Sequence, residues 1–257
     1  MNETHRENRA LWEAWSDDFQ ALWRADTDDG ELPPIPLVDG VGVTESERAT
    51  LLDGLQGADA VELGCGGAQH SVAMAREGAE TVTGVDFSIG QLHHAQRLRD
   101  EYGVEVQFVA GDVVDLPLAD DSFDVAFSSW VLQMVEDLDA CFAEVERILR
   151  PGGVFLFDVP HPFYELFNRE THELKFSYHP PDRRQFPIEE EYGAEMIVFN
   201  RKIAELHNLL VDTGFRVDRL CEPGSDDPDD YEEGAMVTQP ELRARIPRSI
   251  HFRAIAD

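Results

Sequence analysis

A glycine-rich loop between an apolar strand and a helix constrains this chain more than any other feature. Residues 61–67 read Val-Glu-Leu-Gly-Cys-Gly-Gly, and a helix-like run follows at 71–75. Glycines at such a junction let the backbone turn tightly and let a ligand approach the N–H groups of the helix N-terminus. Asp86 closes the next predicted strand ~20 residues later, where a carboxylate can bind ribose hydroxyls. Together they predict binding of a nucleoside-containing cofactor.

The loop does not match two common nucleotide motifs. A dinucleotide fingerprint requires a third small residue where this chain has Gln69, which disfavours an oxidoreductase. The loop also lacks the Lys-Ser/Thr pair of a P-loop. A different class of nucleoside cofactor is therefore expected.

Five short segments over residues 60–159 occur in an order that resembles class I S-adenosylmethionine (SAM) methyltransferases. These segments are residues 62–66, 85–88, 110–113, 116–125 and 149–154. More loosely, the remainder resembles the small-molecule branch, methyltransferase type 11. The shared traits there are an Asn-Arg-x-x-Trp sequence in the N-terminal helix, Pro-His-Pro-Phe at 160–163, and a similar C-terminal half at 200–223.

The resemblance implies SAM as cofactor, S-adenosylhomocysteine as product, and a set of cofactor-binding residues. The glycine loop and its Glu would hold the methionine end, Asp86 the ribose, and Phe87 and Val113 the two faces of adenine. Asp112 would bind the adenine amino group, and the serines after strand four would line the sulfonium side. The complete expected set is Glu62, Gly64, Cys65, Gly66, Asp86, Phe87, Gln91, Gly111, Asp112, Val113, Ser128 and Ser129.

Direct methyl displacement requires alignment of the reactants and exclusion of water, and a base only where the acceptor must lose a proton. His161, just past strand five, is the candidate base, because its pKa range suits proton transfer. The alternative is that His161 packs beside its neighbouring prolines and hydrogen-bonds main chain. The expected acceptor-binding residues are Trp15, Phe19, Gln133, His161, Tyr164 and Tyr192, and no metal ligands are expected.

Strands and helices alternate after residue 44, which predicts a mostly parallel α/β sheet with helices on both faces. Strands are expected at 59–63, 81–85, 104–109, 123–128, 153–159 and 215–221, and an antiparallel last strand at 248–255. The resulting Rossmann-like core of seven strands divides the chain into four parts. These are a lid helix and linker (1–43), the cofactor-binding core (44–159), an insertion (160–199) and the segment that completes the sheet (200–257).

The aromatic insertion is expected to cap the acceptor, with 173–179 and 189–199 paired as a hairpin. The N-terminal helix, residues 4–25, carries aromatic residues at helical spacing. Either it closes over the cofactor as a lid, or its tryptophans merely attach it to the sheet.

The chain carries 52 acidic and 21 basic residues, a net charge of −31. This balance resembles haloarchaeal cytoplasmic proteins, whose folds loosen at low salt because the charges repel one another. Its three cysteines have no metal-ligand spacing, and neither a leader nor a membrane span is indicated, so a cytoplasmic location is expected.

The expected partner is a small, apolar or aromatic methyl acceptor, with the protein a monomer or homodimer. Two alternatives stay open. The chain could methylate RNA or protein, although it has no basic stripe and nucleic acid is disfavoured. It could also bind SAM without catalysis, because methyl transfer requires no obligatory signature residue.

Overall fold

A computed structural model describes residues 1–25, 34–38, 40–168, 171–179, 183–231 and 239–257. Parts of the expected linker at 26–43, of the insertion and of the acidic loop at 223–234 lie outside these ranges. In chain order the main elements are α1 (Glu3–Ala25), α2 (Glu45–Leu51), β1 (Asp59–Leu63), α3 (Gln69–Arg76), β2 (Thr81–Asp86), α4 (Ile89–Tyr102), β3 (Gln107–Ala110), β4 (Phe123–Ser129), α5 (Leu138–Ile148), β5 (Leu149–Pro160), β6 (Arg183–Pro187), β7 (Glu195–Phe199), α6 (Ile203–Asp212), β8 (Phe215–Cys221), α7 (Pro240–Arg243) and β9 (Ser249–Ala256).

Seven of the described strands form one sheet in the order β3-β2-β1-β4-β5-β9-β8. The first five pair in parallel, and β9 runs antiparallel to both β5 and β8. The predicted fold class is therefore confirmed. Because β1 and β4 are neighbours, the loops that follow them diverge from a topological switch point, where open α/β sheets bind ligands.

Local sequence signals account for the helix boundaries. Thr44 and Glu47 form a capping box at the start of α2. The Ser88 hydroxyl accepts a hydrogen bond from the Gln91 N–H at the start of α4, and Gly103 ends that helix with a φ of 61°. These contacts satisfy helix-terminal groups without help from the rest of the fold.

Alternating side chains of the central strands fill two core layers. On β5, Phe155 and Phe157 face the layer that contains Phe142 of α5, whereas Val154 and Leu156 face the opposite layer. The ring of Phe157 stacks on Phe252 of β9, with centroids 4.9 Å apart. This two-sided burial holds the carboxyl ends of the parallel strands in fixed positions.

The insertion contains a two-stranded antiparallel sheet, β6 paired with β7. The expected first hairpin strand at 173–179 is wrong, since the pairing strand is Arg183–Pro187, whereas the expected 189–199 does contain β7. Both aromatic stretches suit a strand, so the sequence pattern did not distinguish them.

The N-terminal helix α1 lies across the carboxyl edge of the sheet. The Asn8 side chain donates to the Ile197 carbonyl at 2.9 Å and accepts from the Ile197 N–H at 2.8 Å, so it pairs with β7 as a strand would. Farther along, Glu13 accepts hydrogen bonds from the Ser88 hydroxyl and the Gly90 N–H. The helix thus joins the insertion to α4. Among the described helices, none has the length and apolar character required to cross a bilayer.

Candidate functional site

A cavity of about 1390 Å³ lies at the carboxyl edge of the sheet, beneath α1 and the insertion. Pockets for one small ligand usually measure ~300–1000 Å³, so this cavity has room for two. We call its part around the β1, β2 and β3 ends the cofactor half. The acceptor half is the part enclosed by α1, the β5 end and the β6–β7 hairpin.

The loop after β1 forms the floor of the cofactor half. Gly64 has a φ of +69°, and a Cβ there would lie 2.4 Å from a methyl carbon of Val131. No other residue type fits this position without displacing the loop after β4. The helix α3 begins at Ala68 without a side-chain cap, so its first N–H groups are suited to an anionic ligand group.

Asp86 lies at the end of β2, on the wall of the cofactor half. Its two carboxylate oxygens accept hydrogen bonds from the Gly66 and Ser88 N–H groups, each at 2.8 Å. Burial raises the pKa of Asp86 to about 6, against the lowering effect of these N–H groups. The carboxylate is thus held in one orientation and retains lone pairs for hydroxyl donors.

Glu62 also lines this half and is buried, and it accepts a short hydrogen bond from the Ser71 hydroxyl of α3. Burial raises the pKa of Glu62 to about 8. A buried carboxylate of this kind is stabilised in its charged form by a cation placed beside it. Glu62 is therefore suited to an ammonium group.

Most other residues expected at the cofactor line the same wall. They are Cys65, Gly66, Phe87, Gln91, Gly111, Val113 and Ser129, and the neighbouring Trp130 lines it too. Ser128 is not among the lining residues, and its hydroxyl donates to the Leu63 carbonyl between β4 and β1. Its expected position on the sulfonium side stays a prediction.

Asp112 likewise does not line the cavity, and its expected contact with an adenine stays a prediction. His5 of α1 lies against it, with Nδ1 at 2.8 and 3.0 Å from the two carboxylate oxygens. Although partial burial alone would raise the pKa of Asp112, the hydrogen bond and charge of His5 lower it overall. His5 itself lines the cavity, and its buried Nε2 has no hydrogen-bond partner.

The acceptor half is largely aromatic, and four expected residues line it: Trp15, Phe19, Gln133 and Tyr164. The rings of Trp12, Trp15 and Phe19 lie 4.9–5.1 Å apart along α1. The Gln133 amide donates to the Trp130 carbonyl, and its buried Oε1 has no partner. The Tyr164 hydroxyl donates to Gln239 at 2.7 Å.

Two expected acceptor residues lie outside this wall. His161, predicted to face the cavity as a base, accepts from the Phe163 N–H at Nδ1 and contacts Glu222 at Nε2. Both ring nitrogens are engaged and His161 does not line the cavity, so its role as the base stays a prediction. Tyr192 donates to Asp18 of α1 and packs near Trp15, so it fastens the helix and does not line the cavity.

Asp158 is a functional candidate that sequence reasoning missed. It lies near the end of β5, beside Ser129 of β4, buried within the cavity wall. Burial raises the pKa of Asp158 to about 7, although the Ser129 hydrogen bond and the Arg248 charge lower it. The available signal was a single carboxylate within an otherwise apolar strand, Val154–Pro160.

Comparisons with known proteins agree with this geometry. Residues 61–157 match the family described as "Methyltransferase domain". The matched segment, more than a third of the chain, is similar to a methyltransferase domain. Among the residues that the structure describes, no group of three or more His, Cys, Asp or Glu could hold a metal ion.

Two curated relatives align with part of this chain. Malonyl-[acyl-carrier protein] O-methyltransferase of Serratia marcescens is 38% identical over 39% of the chain and 38% of its own length. Demethylmenaquinone methyltransferase of Streptomyces avermitilis is 32% identical over 55% of the chain and 60% of its own length. The chain therefore spans less than two thirds of the length of these relatives.

A solved structure covers nearly the whole chain. It comes from the complex of the Haloferax volcanii Trm112 methyltransferase activator with a methyltransferase, at a TM-score of 0.63 and 20% identity, over 97% of both chains. At this identity the likeness shows the fold alone. The fold therefore extends beyond the matched core to α1 and the insertion.

Proposed function

We propose that this chain transfers a methyl group from SAM to a small-molecule acceptor by direct displacement. The observation that carries the proposal is the continuity of one cavity across two differently lined halves. The cofactor half presents the glycine loop, Glu62 and Asp86, and the acceptor half is aromatic. Enzymes that align two reactants in a closed site gain rate from positioning alone.

Orphaned polar atoms support a ligand in the cofactor half. The buried Nε2 atoms of His5 and Gln91 have no hydrogen-bond partners among the described residues, and both residues line the cavity. Because His5 donates from Nδ1 to Asp112, its Nε2 is an acceptor in the neutral ring, whereas the Gln91 Nε2 is a donor. Buried polar atoms without partners are costly, so a ligand that supplies a donor to His5 and an acceptor to Gln91 would stabilise this arrangement. The residues present thus fit a nucleoside with polar base edges and hydroxyl groups.

Each part of the cofactor would meet a matching group of this chain. Glu62 would hold the ammonium, the N-terminus of α3 the carboxylate, and Asp86 the ribose hydroxyls. Because His5 stands between Asp112 and the cavity, His5 would take over the contact with the adenine edge. When bound, SAM supplies an electrophilic methyl group on its sulfonium.

The acceptor half would then place the nucleophile and exclude water. Trp12, Trp15 and Phe19 of α1 cover this half from above. Asp158 and Ser129 lie side by side in the wall near the glycine loop. For an acceptor that must lose a proton, Asp158 is placed to take it, since its raised pKa suits transfer near neutral pH.

Calorimetric titration of the protein with SAM and S-adenosylhomocysteine, in molar KCl, tests the cofactor assignment. We expect saturable binding of both, abolished in Asp86→Ala. Asp100→Ala is the matched control, because Asp100 is exposed on α4 and its carboxylate pairs with Arg99. Absence of binding by folded wild-type protein would contradict the proposal.

A measurement of methyl transfer distinguishes the proposed enzyme from a protein that binds SAM without catalysis. Protein that binds SAM is incubated with methyl-labelled SAM and fractions of a metabolite extract. Label transferred to a small molecule supports the methyltransferase, whereas label transferred to RNA or protein supports the macromolecular alternative. Binding without transfer to any fraction favours the non-catalytic protein.

A further inference from the structure

The charge of the acceptor half is opposite in sign to that of the whole protein. The chain carries 52 acidic and 21 basic residues. In the described wall of the acceptor half the basic residues Lys175, Arg184, Arg201 and Arg248 outnumber the acidic residues Asp158 and Glu165. A reversal of this kind in a strongly acidic protein creates a local positive potential, which attracts anions.

Each of these four cations lies over an aromatic ring. The distances from the cationic group to the ring centroid are 5.0 Å for Lys175 and 5.5 Å for Arg184, both over Phe176. Arg201 lies 4.9 Å over Phe199, and Arg248 lies 4.7 Å over Trp130. A ring helps to hold a cation in place and leaves its charge intact. Two of the four also pair with carboxylates, Arg184 with Glu165 at 2.8 Å and Arg201 with Glu205 at 3.9 Å.

The best-defined of these cations is Arg184, on β6. One Nη atom donates to Glu165 at 2.8 Å, while the buried Nε has no hydrogen-bond partner in the part of the chain that the structure describes. Glu165 thus fixes the guanidinium and leaves a donor available. Phe176 and Phe186, which also line the cavity here, are each 40% exposed, so apolar surface adjoins the cations.

We propose that the acceptor half binds an apolar molecule with one anionic group, such as a carboxylate, sulfonate or phosphate. The anion lies against Arg184 and Lys175, and the apolar body lies among the rings of the insertion and α1. Identifying this ligand with the methyl acceptor rests on the proposed function. The binding site itself does not, because it lies outside the cofactor half.

A matched pair of fluorescent probes tests this binding site. 8-Anilinonaphthalene-1-sulfonate carries an anion, and N-phenyl-1-naphthylamine has the same rings without it. Both are titrated into the full chain at one fixed KCl concentration, with and without saturating S-adenosylhomocysteine. The variants are Arg184→Gln, the exposed Lys175→Gln, and the control Arg183→Gln, whose exposed side chain is not part of the cavity wall.

We expect the sulfonate to bind more tightly than the neutral probe. Arg184→Gln and Lys175→Gln should each weaken the sulfonate about three- to tenfold, since charge-assisted contacts are strong but screened at this exposure. The affinity for the neutral probe should change less than about twofold in every variant. The affinity of the Arg183→Gln protein for the sulfonate should also change less than about twofold. Lys175→Gln keeps the test valid if Arg184→Gln fails to fold.

Three results would each overturn the proposal. The two probes could bind with equal affinity, or Arg183→Gln could weaken the sulfonate as much as Arg184→Gln and Lys175→Gln do. S-adenosylhomocysteine could also displace the sulfonate. Failure of S-adenosylhomocysteine to bind would instead contradict the proposed function. The affinities of the two probes for the wild type and the variants would then still show whether Arg184 and Lys175 favour an anionic ligand.

Discussion

At the residue scale, the site depends on buried carboxyl groups whose pKa values lie above their values in water. Glu62, Asp86 and Asp158 line one cavity, and burial raises the pKa of each. Desolvated carboxylates are expected where a ligand supplies the compensating charge or hydrogen bonds. The sequence indicated Glu62 and Asp86 through the motif spacing, whereas Asp158 belongs to no motif and was recognised from its position beside Ser129.

The first residue-scale prediction concerns the pH dependence of cofactor binding. The pKa of Glu62 without ligand is about 8, so this group is mostly protonated at pH 6. A ligand ammonium favours the carboxylate and lowers that pKa, so SAM affinity should increase from pH 6 to pH 7.5 with release of a proton. Titration calorimetry in two buffers of different ionisation enthalpy measures both effects.

Glu62→Gln is the control, because it keeps the shape and removes the titration. The variant should bind more weakly and lose the pH-dependent part. The same pH profile in the variant and in the wild type would show that another group is responsible.

The second residue-scale prediction concerns Gly64→Ala. The new Cβ combines a φ of +69° with atoms of Val131 at 2.4 and 2.8 Å. Left-handed backbone costs a non-glycine residue about 1–2 kcal/mol and overpacking another 1–3 kcal/mol, so we expect a loss of about 2–5 kcal/mol in unfolding free energy. Chemical denaturation measures this loss.

Gly103→Ala is the matched control, since it has a φ of +61° and nothing within 4 Å of the new Cβ. It should cost only about 1–2 kcal/mol. Equal losses in the two variants would mean that the Val131 clash is unimportant, and Val131→Ala should partly rescue Gly64→Ala.

At the element scale, α1 combines structural and functional contacts. Its buried polar residues reach three separate parts of the fold, for example His5 to Asp112, Asn8 to Ile197 and Gln20 to Gln91. Its aromatic residues meanwhile line the cavity. The sequence left two alternatives open for α1, attachment to the sheet and closure over the cavity. The contacts of α1 are compatible with both at once.

We predict that Asn8→Ala loosens α1 and weakens cofactor binding. The substitution leaves the Ile197 N–H and carbonyl without their partner, which costs about 1–3 kcal/mol for buried groups. Amide exchange should become faster in α1 and β7, and the Kd for S-adenosylhomocysteine should increase about three- to tenfold.

Arg9→Ala is the matched control, because Arg9 is the next residue of the same helix and is exposed. It should change neither exchange nor affinity. Faster exchange with unchanged affinity would show that α1 attaches to the insertion without contributing to the cofactor site.

At the scale of the whole molecule, charge is the dominant property. The net charge is −31. Like charges of this number destabilise a compact state through self-repulsion, and salt weakens the repulsion because the Debye length falls from ~30 Å at 0.01 M to ~3 Å at 1 M.

We therefore expect the melting temperature to increase between dilute buffer and 2 M KCl. An increase of at least about 5 °C, roughly 1–2 kcal/mol for a chain of this size, is expected, with most of it below ~1 M. Differential scanning calorimetry across a KCl series measures it. NaCl at equal ionic strength should act alike, and a melting temperature independent of salt would refute the role of charge.

Local chemistry made much of the fold predictable from sequence. Apolar runs and turn residues depend on neighbours along the chain, so β1, β4 and β8 were located within a residue or two. The five ordered motifs placed most of the cofactor half, because the ends of adjacent parallel strands must meet at one edge of the sheet.

Tertiary structure decided everything that depends on contacts between distant segments. His5 lies 107 residues from Asp112 and occupies its carboxylate, and Glu222 lies 61 residues from His161 and engages its ring. Hairpin pairing in the insertion and the position of Asp158 in the cavity wall were decided in the same way. Motif spacing determines which residues reach the sheet edge, but only packing determines which of their polar atoms remain available to a ligand.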